Sequence, residues 1–424
     1  MQFREIPPAE YESFALQHPG RYYINSSIMI ELKKKNGWNT YYCGVTDDDG
    51  KLLAAAGFSA VPAARRYHYA YAQRGILCDF EDHALTKFFT EHLQSFCKAH
   101  GMAYLRMDPY YEYQELTQDG AVREGGFCRQ NVIDDLQSMG WQHQGFYKGV
   151  QGDSQVRYMV VLDLEDKTVD QLVSAFDPKT RRNIKRAQKL GVQIRELDPA
   201  HLDEFMKLME FTSEKRNYED MGLEAYRSQL EAFGPEHAKV LISYLNMDHF
   251  HEMIDIERQQ VNAELAKAEE LLQETPGGMK ATKRKNDALE LLKQIDARQQ
   301  ETDELEEKYG KEIILSAAYF VMYDDEMYYI SSGSYDAFRK YNGPYFIQNY
   351  AIAEAKKHGC RRYNFTGTSG IFDESADDYG VFEFKRRFNG RPIELVGEFI
   401  LPCDHAMMKK IHALTGLKKL LTHR

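Results

Sequence analysis

Three absences narrow this 424-residue chain before any motif is sought. The six cysteines, at 43, 78, 97, 128, 360 and 403, include no Cys-x-x-Cys pair and no metal-ligand spacing. Such usage fits free thiols in a reducing compartment better than a disulfide framework. The N-terminal Met-Gln-Phe-Arg-Glu-Ile-Pro-Pro has no apolar core of the kind a signal peptide needs. The longest apolar run, 313–322, is of strand length and far short of the ~18 residues needed to span a bilayer. A cytosolic protein is expected, with chain enough for about two or three domains and ample core.

Two catalytic signatures are missing as well. Gly367-Thr368-Ser369-Gly370 lacks the Gly-x-Ser-x-Gly spacing of a nucleophile elbow, and no Asp/His pair accompanies it, which excludes a serine hydrolase. Coenzyme A-dependent acetyltransferases bind pyrophosphate with Gln/Arg-x-x-Gly-x-Gly/Ala at a helix N-terminus. The nearest stretch, 123–128, ends in Cys128.

What the chain does contain is a repeat. At one constant offset Ala60, Tyr71, Gly75, Phe80, Phe88, Lys98, His100 and Gly101 fall on Ala318, Tyr329, Gly333, Phe338, Phe346, Lys356, His358 and Gly359. Around these points the patterns agree. Strands are predicted at 52–60 and 313–323, and at 67–72 and 326–332. A helix then runs into a Lys-x-His-Gly stop, the expected C-terminal signal, and a further strand follows at 102–107 or 361–366. The fold class is therefore α+β, with one domain present twice.

The net charge of −11 argues against a general nucleic-acid coat, but the charge is unevenly spread. Lys179, Arg181, Arg182, Lys185, Arg186, Lys189 and Arg195 crowd 177–196 against two acids, and Lys409, Lys410, Lys418, Lys419 and Arg424 end the chain without an acid. Solvated helix faces, a polyanionic ligand and a membrane surface all remain open for these patches.

In chain order, 21–35 reads as a helix whose last turn holds Lys33, Lys34 and Lys35, where cations complement the helix dipole and one is free to meet a phosphate. Asp108, at a strand end before Pro109, is forced into an extended or turn conformation, where it is either a plain turn residue or free to project its carboxylate from the sheet edge. Helices are expected at 168–176, 179–190, 201–212 and 223–233, with a polar loop from Thr212 to Tyr218 that suits a phosphate and a base or sugar and equally a surface turn. From 248 to 309 the composition changes. Val261, Leu265, Ala268 and Leu272, then Ala288, Leu292 and Ile295, make one apolar seam on either side of Pro276-Gly277-Gly278. That pattern predicts an antiparallel coiled-coil hairpin roughly 40 Å long, inserted in the second copy. It serves either as a dimer handle or as a reach towards a large ligand. In 380–388, read as helix or strand, Lys385 sits among aromatics and its charge must find a partner or a developing anion.

Four stretches carry a resemblance. Met107-Asp108-Pro109-Tyr110, Phe176-Asp177-Pro178-Lys179 through Val192, Arg362 through Gly370 and Glu383-Phe384-Lys385-Arg386-Arg387-Phe388, in this order with the arm before the third, resemble the Fem family of aminoacyltransferases of Gram-positive bacteria. The resemblance covers essentially the whole chain. It implies two GNAT-like domains, 1–150 and 151–246 plus 310–402, a coiled-coil arm over 247–309 like the tRNA-reaching arm of seryl-tRNA synthetase, and a basic C-terminal helix over 403–424. It implies transfer of an amino acid from aminoacyl-tRNA, as co-substrate, to the stem peptide of a lipid-linked peptidoglycan precursor, with no metal or diffusible cofactor. Peripheral contact with the inner membrane surface, and a homodimer or a related Fem-type partner, also follow from it as expectations. By the same resemblance Lys385 and Asp108 are the expected catalytic residues, and Lys33, Arg216, Tyr218, Tyr110 and Arg74 the expected substrate-binding residues.

Overall fold

The repeat is visible as two sheets with one central topology. In the computed structural model, which describes residues 1–64, 66–149, 155–216 and 218–422 without the side chains of 412 and 415–422, the first sheet has seven strands and the second eight. In the first, Leu52–Ala64 pairs antiparallel with Tyr67–Ala72, which lies parallel to Met102–Met107. In the second, Glu312–Tyr323 pairs antiparallel with Glu326–Ser334, which lies parallel to Arg362–Thr368. Each parallel pair is joined by a crossover helix, His83–Ala99 or Gly343–Lys357.

The first crossover helix shows why these stretches fold as they do. The Asp82 carboxylate caps it by accepting the Leu85 N–H at 2.9 Å. Leu85, Phe89, Leu93 and Phe96 then recur on the buried side at helical spacing. Each fully buried side chain of this kind contributes about 1.5 to 3 kcal/mol. Past the last turn Gly101 takes the left-handed φ of 71°, which glycine adopts without steric cost. The second crossover helix ends in the same way at Gly359, φ 80°.

Two helices, Met247–Glu274 and Met279–Tyr309, pack as a hairpin. Its 28-residue first helix is about 42 Å long. Phe250, Ile254, Val261 and Ala268 face Ala281, Ala288, Ile295 and Thr302 in a heptad seam. The hairpin stands where a tight turn would otherwise join two antiparallel strands, since Ala238–Asn246 pairs with Glu312–Tyr323 and the Met247 N–H donates to the Lys311 carbonyl at 2.9 Å.

Three sequence expectations are corrected. The strand Phe399–Pro402, inside the span assigned to the second copy, pairs with Met102–Met107 and Gln142–His143 of the first sheet. Phe399 and Leu401 complete the first core there. Conversely Glu112–Gln114 pairs with Arg391–Leu395 of the second sheet. The helix expected at 201–212 runs over Leu202–Arg216, so Arg216 ends a helix rather than lying in a loop. Phe205, Leu208 and Met209 bury its inner face, and the polar residues that follow stay helical on its solvent side. At the C-terminus His405–Thr422 is helical, while the side chains of Lys418 and Lys419, and Arg424 as a whole, lie outside the described residues.

Candidate active site

Both halves present their polar groups at the carboxyl ends of the parallel strands. Open α/β sheets bind ligands at this end because the loops there converge on a crevice. In the first half, Arg74 and Asp108 follow neighbouring strand ends, with Ala72 opposite Met107. Asp108 Oδ1 accepts the Arg74 backbone N–H at 2.9 Å, and Oδ2 lies 3.5 Å from Arg74 Nη1. Among the described residues Oδ2 accepts no hydrogen bond. Burial raises the Asp108 carboxyl to about 6, against the lowering effect of Arg74.

Arg74 is held in the left-handed region at φ 54°, uncommon for a residue with a Cβ. The Asp108 carboxylate on its N–H and Asn25 Nδ2, which donates to its carbonyl at 2.7 Å, fix it there. Its guanidinium donates to the Val156 carbonyl at 2.7 Å and lies over the Tyr22 ring. Arg74 is thus committed to Asp108 and to the chain connecting the halves. Lys33, in the last turn of Ser27–Lys35, donates to Gln73. Burial lowers its ammonium to about 8, and the charge of Asp108 opposes that shift.

In the second half, 380–388 resolves as the helix Tyr379–Arg386, which turns Phe382 and Lys385 inward. Lys385 is 4 % exposed, and its Nζ donates to the Gly367 carbonyl at 2.6 Å. Burial lowers the ammonium to about 7, with the Asp378 carboxylate pulling the other way. Asp378 was not singled out by sequence. It lies in the acidic run 373–378, and only the fold shows that its oxygens accept from Thr368 Oγ1 at 3.0 Å and from the Ser369 N–H at 2.8 Å. The turn beside Lys385 is therefore tied down by one carboxylate.

Val156 joins the two clusters. Its carbonyl takes the Arg74 guanidinium, and its side chain fills the space beside Gly367, where an added Cβ would lie 2.6 Å from Val156 Cγ2. Lys33, Arg74 and Asp108 thus form one group, connected through Val156 and Gly367 to Lys385.

Tyr110 touches this group through its N–H, which donates to the Arg74 carbonyl at 3.4 Å, whereas its side chain has other partners and Arg216 and Tyr218 are exposed. Tyr110 donates its hydroxyl to Glu326 at 2.9 Å and accepts from Arg362 and Asn364, each at 3.3 Å. It also lines a cavity of about 670 Å³ between the halves, with Glu112, Asp163, Arg362 and Arg391. That cavity lies at the opposite end of the Arg362–Thr368 strand from Gly367. Arg216 is exposed, and Tyr218 is 44 % exposed with its N–H donating to the Ser213 carbonyl at 3.2 Å.

Comparison with known proteins agrees with this architecture. The FemAB family model matches residues 6–415. The aminoacyltransferases FemA of Staphylococcus aureus strains MRSA252 and bovine RF122 / ET3-1 are each 34 % identical over 422 residues, 99 % of either chain. The crystal structure of FemX superposes with a TM-score of 0.82 at 23 % identity, over 97 % of this chain and 100 % of that one, a likeness of fold. The mixed α/β chain is an enzyme of the aminoacyltransferase class. It belongs to the FemAB family.

Proposed function

We propose that the protein transfers an aminoacyl group from aminoacyl-tRNA to an amine on the stem peptide of a lipid-linked peptidoglycan precursor, building an interpeptide bridge. The observation that carries this reading is Lys385, a nearly buried ammonium whose Nζ donates to a main-chain carbonyl. Aminolysis of an ester is accelerated by such a cation. The acceptor nitrogen attacks the ester carbonyl carbon, the C=O electron pair moves onto oxygen, and a fixed cation beside that oxyanion is worth roughly 2.7 to 4 kcal/mol. The attacking amine must also lose a proton. Asp108, ionised above about 6 and with Oδ2 free of hydrogen bonds among the described residues, accepts it. Collapse of the intermediate forms the amide and expels the ribose hydroxyl, which takes up a proton.

In this reading Arg74 and Tyr110 support the acceptor side, and Lys33, Arg216 and Tyr218 meet phosphate and sugar. The two halves are GNAT-like domains over 1–150 and 151–246 plus 310–402, with the exchange of edge strands described above. The hairpin over 247–309 is the arm, and 403–424 the terminal helix. The aminoacyl ester already carries the activation energy, so no metal or diffusible cofactor takes part. A lipid-linked acceptor brings the enzyme to the inner face of the membrane from the cytoplasm, alone or with a second Fem-type chain. No helix among the described residues is long and apolar enough to cross a membrane. Incubation with radiolabelled aminoacyl-tRNAs and lipid-linked precursor tests the reading. Label in the lipid fraction that is lost on prior RNase treatment supports it, and acetyl label transferred from acetyl-CoA instead overturns it.

A further inference from the structure

The basic stretch at 177–196 has found no role in the chemistry above. It folds as Pro178–Lys189, twelve residues and about 18 Å long. Thr180, Ile184 and Ala187 are its buried face. Lys179, Arg182, Lys185, Arg186 and Lys189 are all exposed, at steps of three and four residues that align them along the outer side. Among the described residues none of these five side chains makes an ion pair or hydrogen bond, although the chain as a whole is acidic. Solvated cations elsewhere on the surface are commonly paired, such as Lys215 with Asp336 and Lys340 with Glu301.

The two ends of this helix matter more than its charge. At its start the Asp177 N–H donates to the Arg387 carbonyl at 2.9 Å, and the Phe176 ring packs edge-on against Phe388 at 5.1 Å. Arg387 and Phe388 directly follow the helix that carries Lys385. At its finish, an added Cβ on Gly191 would lie 3.1 Å from Met253 Sδ and 3.3 Å from Phe250 Cδ2, both in the first turns of the hairpin. Ala187 and Val192 share a core with Phe250, Ile254 and Val261. The row of unpaired cations therefore runs from the Lys385 helix to the root of the arm.

We propose that this row is where the phosphate backbone of the RNA lies, between an acceptor end held at Lys385 and a body that extends towards the hairpin. The proposal rests on the aminoacyl-tRNA reading above. The RNA partner follows from position: a polyanion that must end at Lys385 and is far larger than the cleft has to leave along a neighbouring surface, and this one carries the matching charge. A membrane lying on the same helix would need no continuity with Lys385.

The test is a fourfold variant, Lys179→Gln, Arg182→Gln, Lys185→Gln and Lys189→Gln, all exposed positions, with thermal melting to confirm that it folds. Filter binding of uncharged tRNA requires no chemistry. Its Kd is expected to rise at least about tenfold, and the slope of log Kd against log salt to fall by about three. The ratio of kcat/KM for whole aminoacyl-tRNA to that for an aminoacylated trinucleotide, too short to cross the helix, is expected to fall at least about tenfold. An unchanged Kd and ratio overturn the proposal, as does a loss confined to vesicles of anionic phospholipid. If wild type binds tRNA through these cations but transfers nothing from any aminoacyl-tRNA, the functional reading fails while the surface assignment stands.

Discussion

Replacing Lys385 with Met keeps the volume and removes the charge, and the consequences can be worked out from its surroundings. Nζ is nearly buried and held by the Gly367 carbonyl, so its position is fixed before any oxyanion develops. Loss of one preorganised group of this kind costs about a hundred- to thousandfold in kcat. The pH dependence is more diagnostic. The ammonium titrates at about 7, so it is charged and active below that and neutral above. The acceptor amine and Asp108 ionise alike in both proteins, so the ratio of wild-type to variant rate isolates Lys385. It should be largest near pH 6 and decline about tenfold per unit above pH 7. Stability moves the other way. The folded pKa of about 7 lies below the ordinary 10.5, so the folded state binds fewer protons between those values and stability rises with pH across that window. At pH 7 and below, Lys385→Met should therefore raise the unfolding free energy by a few kcal/mol at most after the lost hydrogen bond to Gly367, and Tm with it, and the gain should vanish towards pH 10.5. A rate ratio near one, or one that does not change with pH, would refute the oxyanion role.

Asp108→Asn keeps an acceptor for the Arg74 N–H but cannot take a proton, and should slow single-turnover transfer at least about tenfold in a protein that still unfolds cooperatively. Asp378→Asn keeps acceptors for Thr368 and Ser369 while removing the charge that opposes burial of Lys385. The falling limb of the pH profile should then move below pH 7. Gly333→Ala places a Cβ 2.1 Å from Leu208 Cδ2 and 2.8 Å from the Leu208 carbonyl, so it should cost about 1 to 3 kcal/mol in denaturant unfolding.

The elements legible in the sequence were those whose signal is local. The duplicated strands and crossover helices carry their own periodicity and glycine stops, and the hairpin carries its own seam, as Val261, Ala268, Ala288 and Ile295 show. Long-range pairing left no such trace. Phe399–Pro402 is a short apolar strand, and nothing within it records that Met102–Met107, some three hundred residues earlier, is its neighbour. The candidate site divides in the same way. Asp108 before a proline and Lys385 among aromatics stand out in the primary structure. Asp378 looks like one of several acids in a polar run until the fold sets it against Thr368 and Ser369. Arg74 could be named from the resemblance, but its positive φ depends on Asp108 and Asn25, distant in the chain, and its link to Val156 on a contact between the halves.

The most direct test of the central claim is the mass of the precursor's stem peptide after incubation of purified protein with lipid-linked precursor and charged tRNA. The account predicts addition of one aminoacyl residue in amide linkage to a side-chain amine, with release of an equal amount of uncharged tRNA. An unmodified stem peptide with every charged tRNA, or an acetyl group gained from acetyl-CoA, would contradict it.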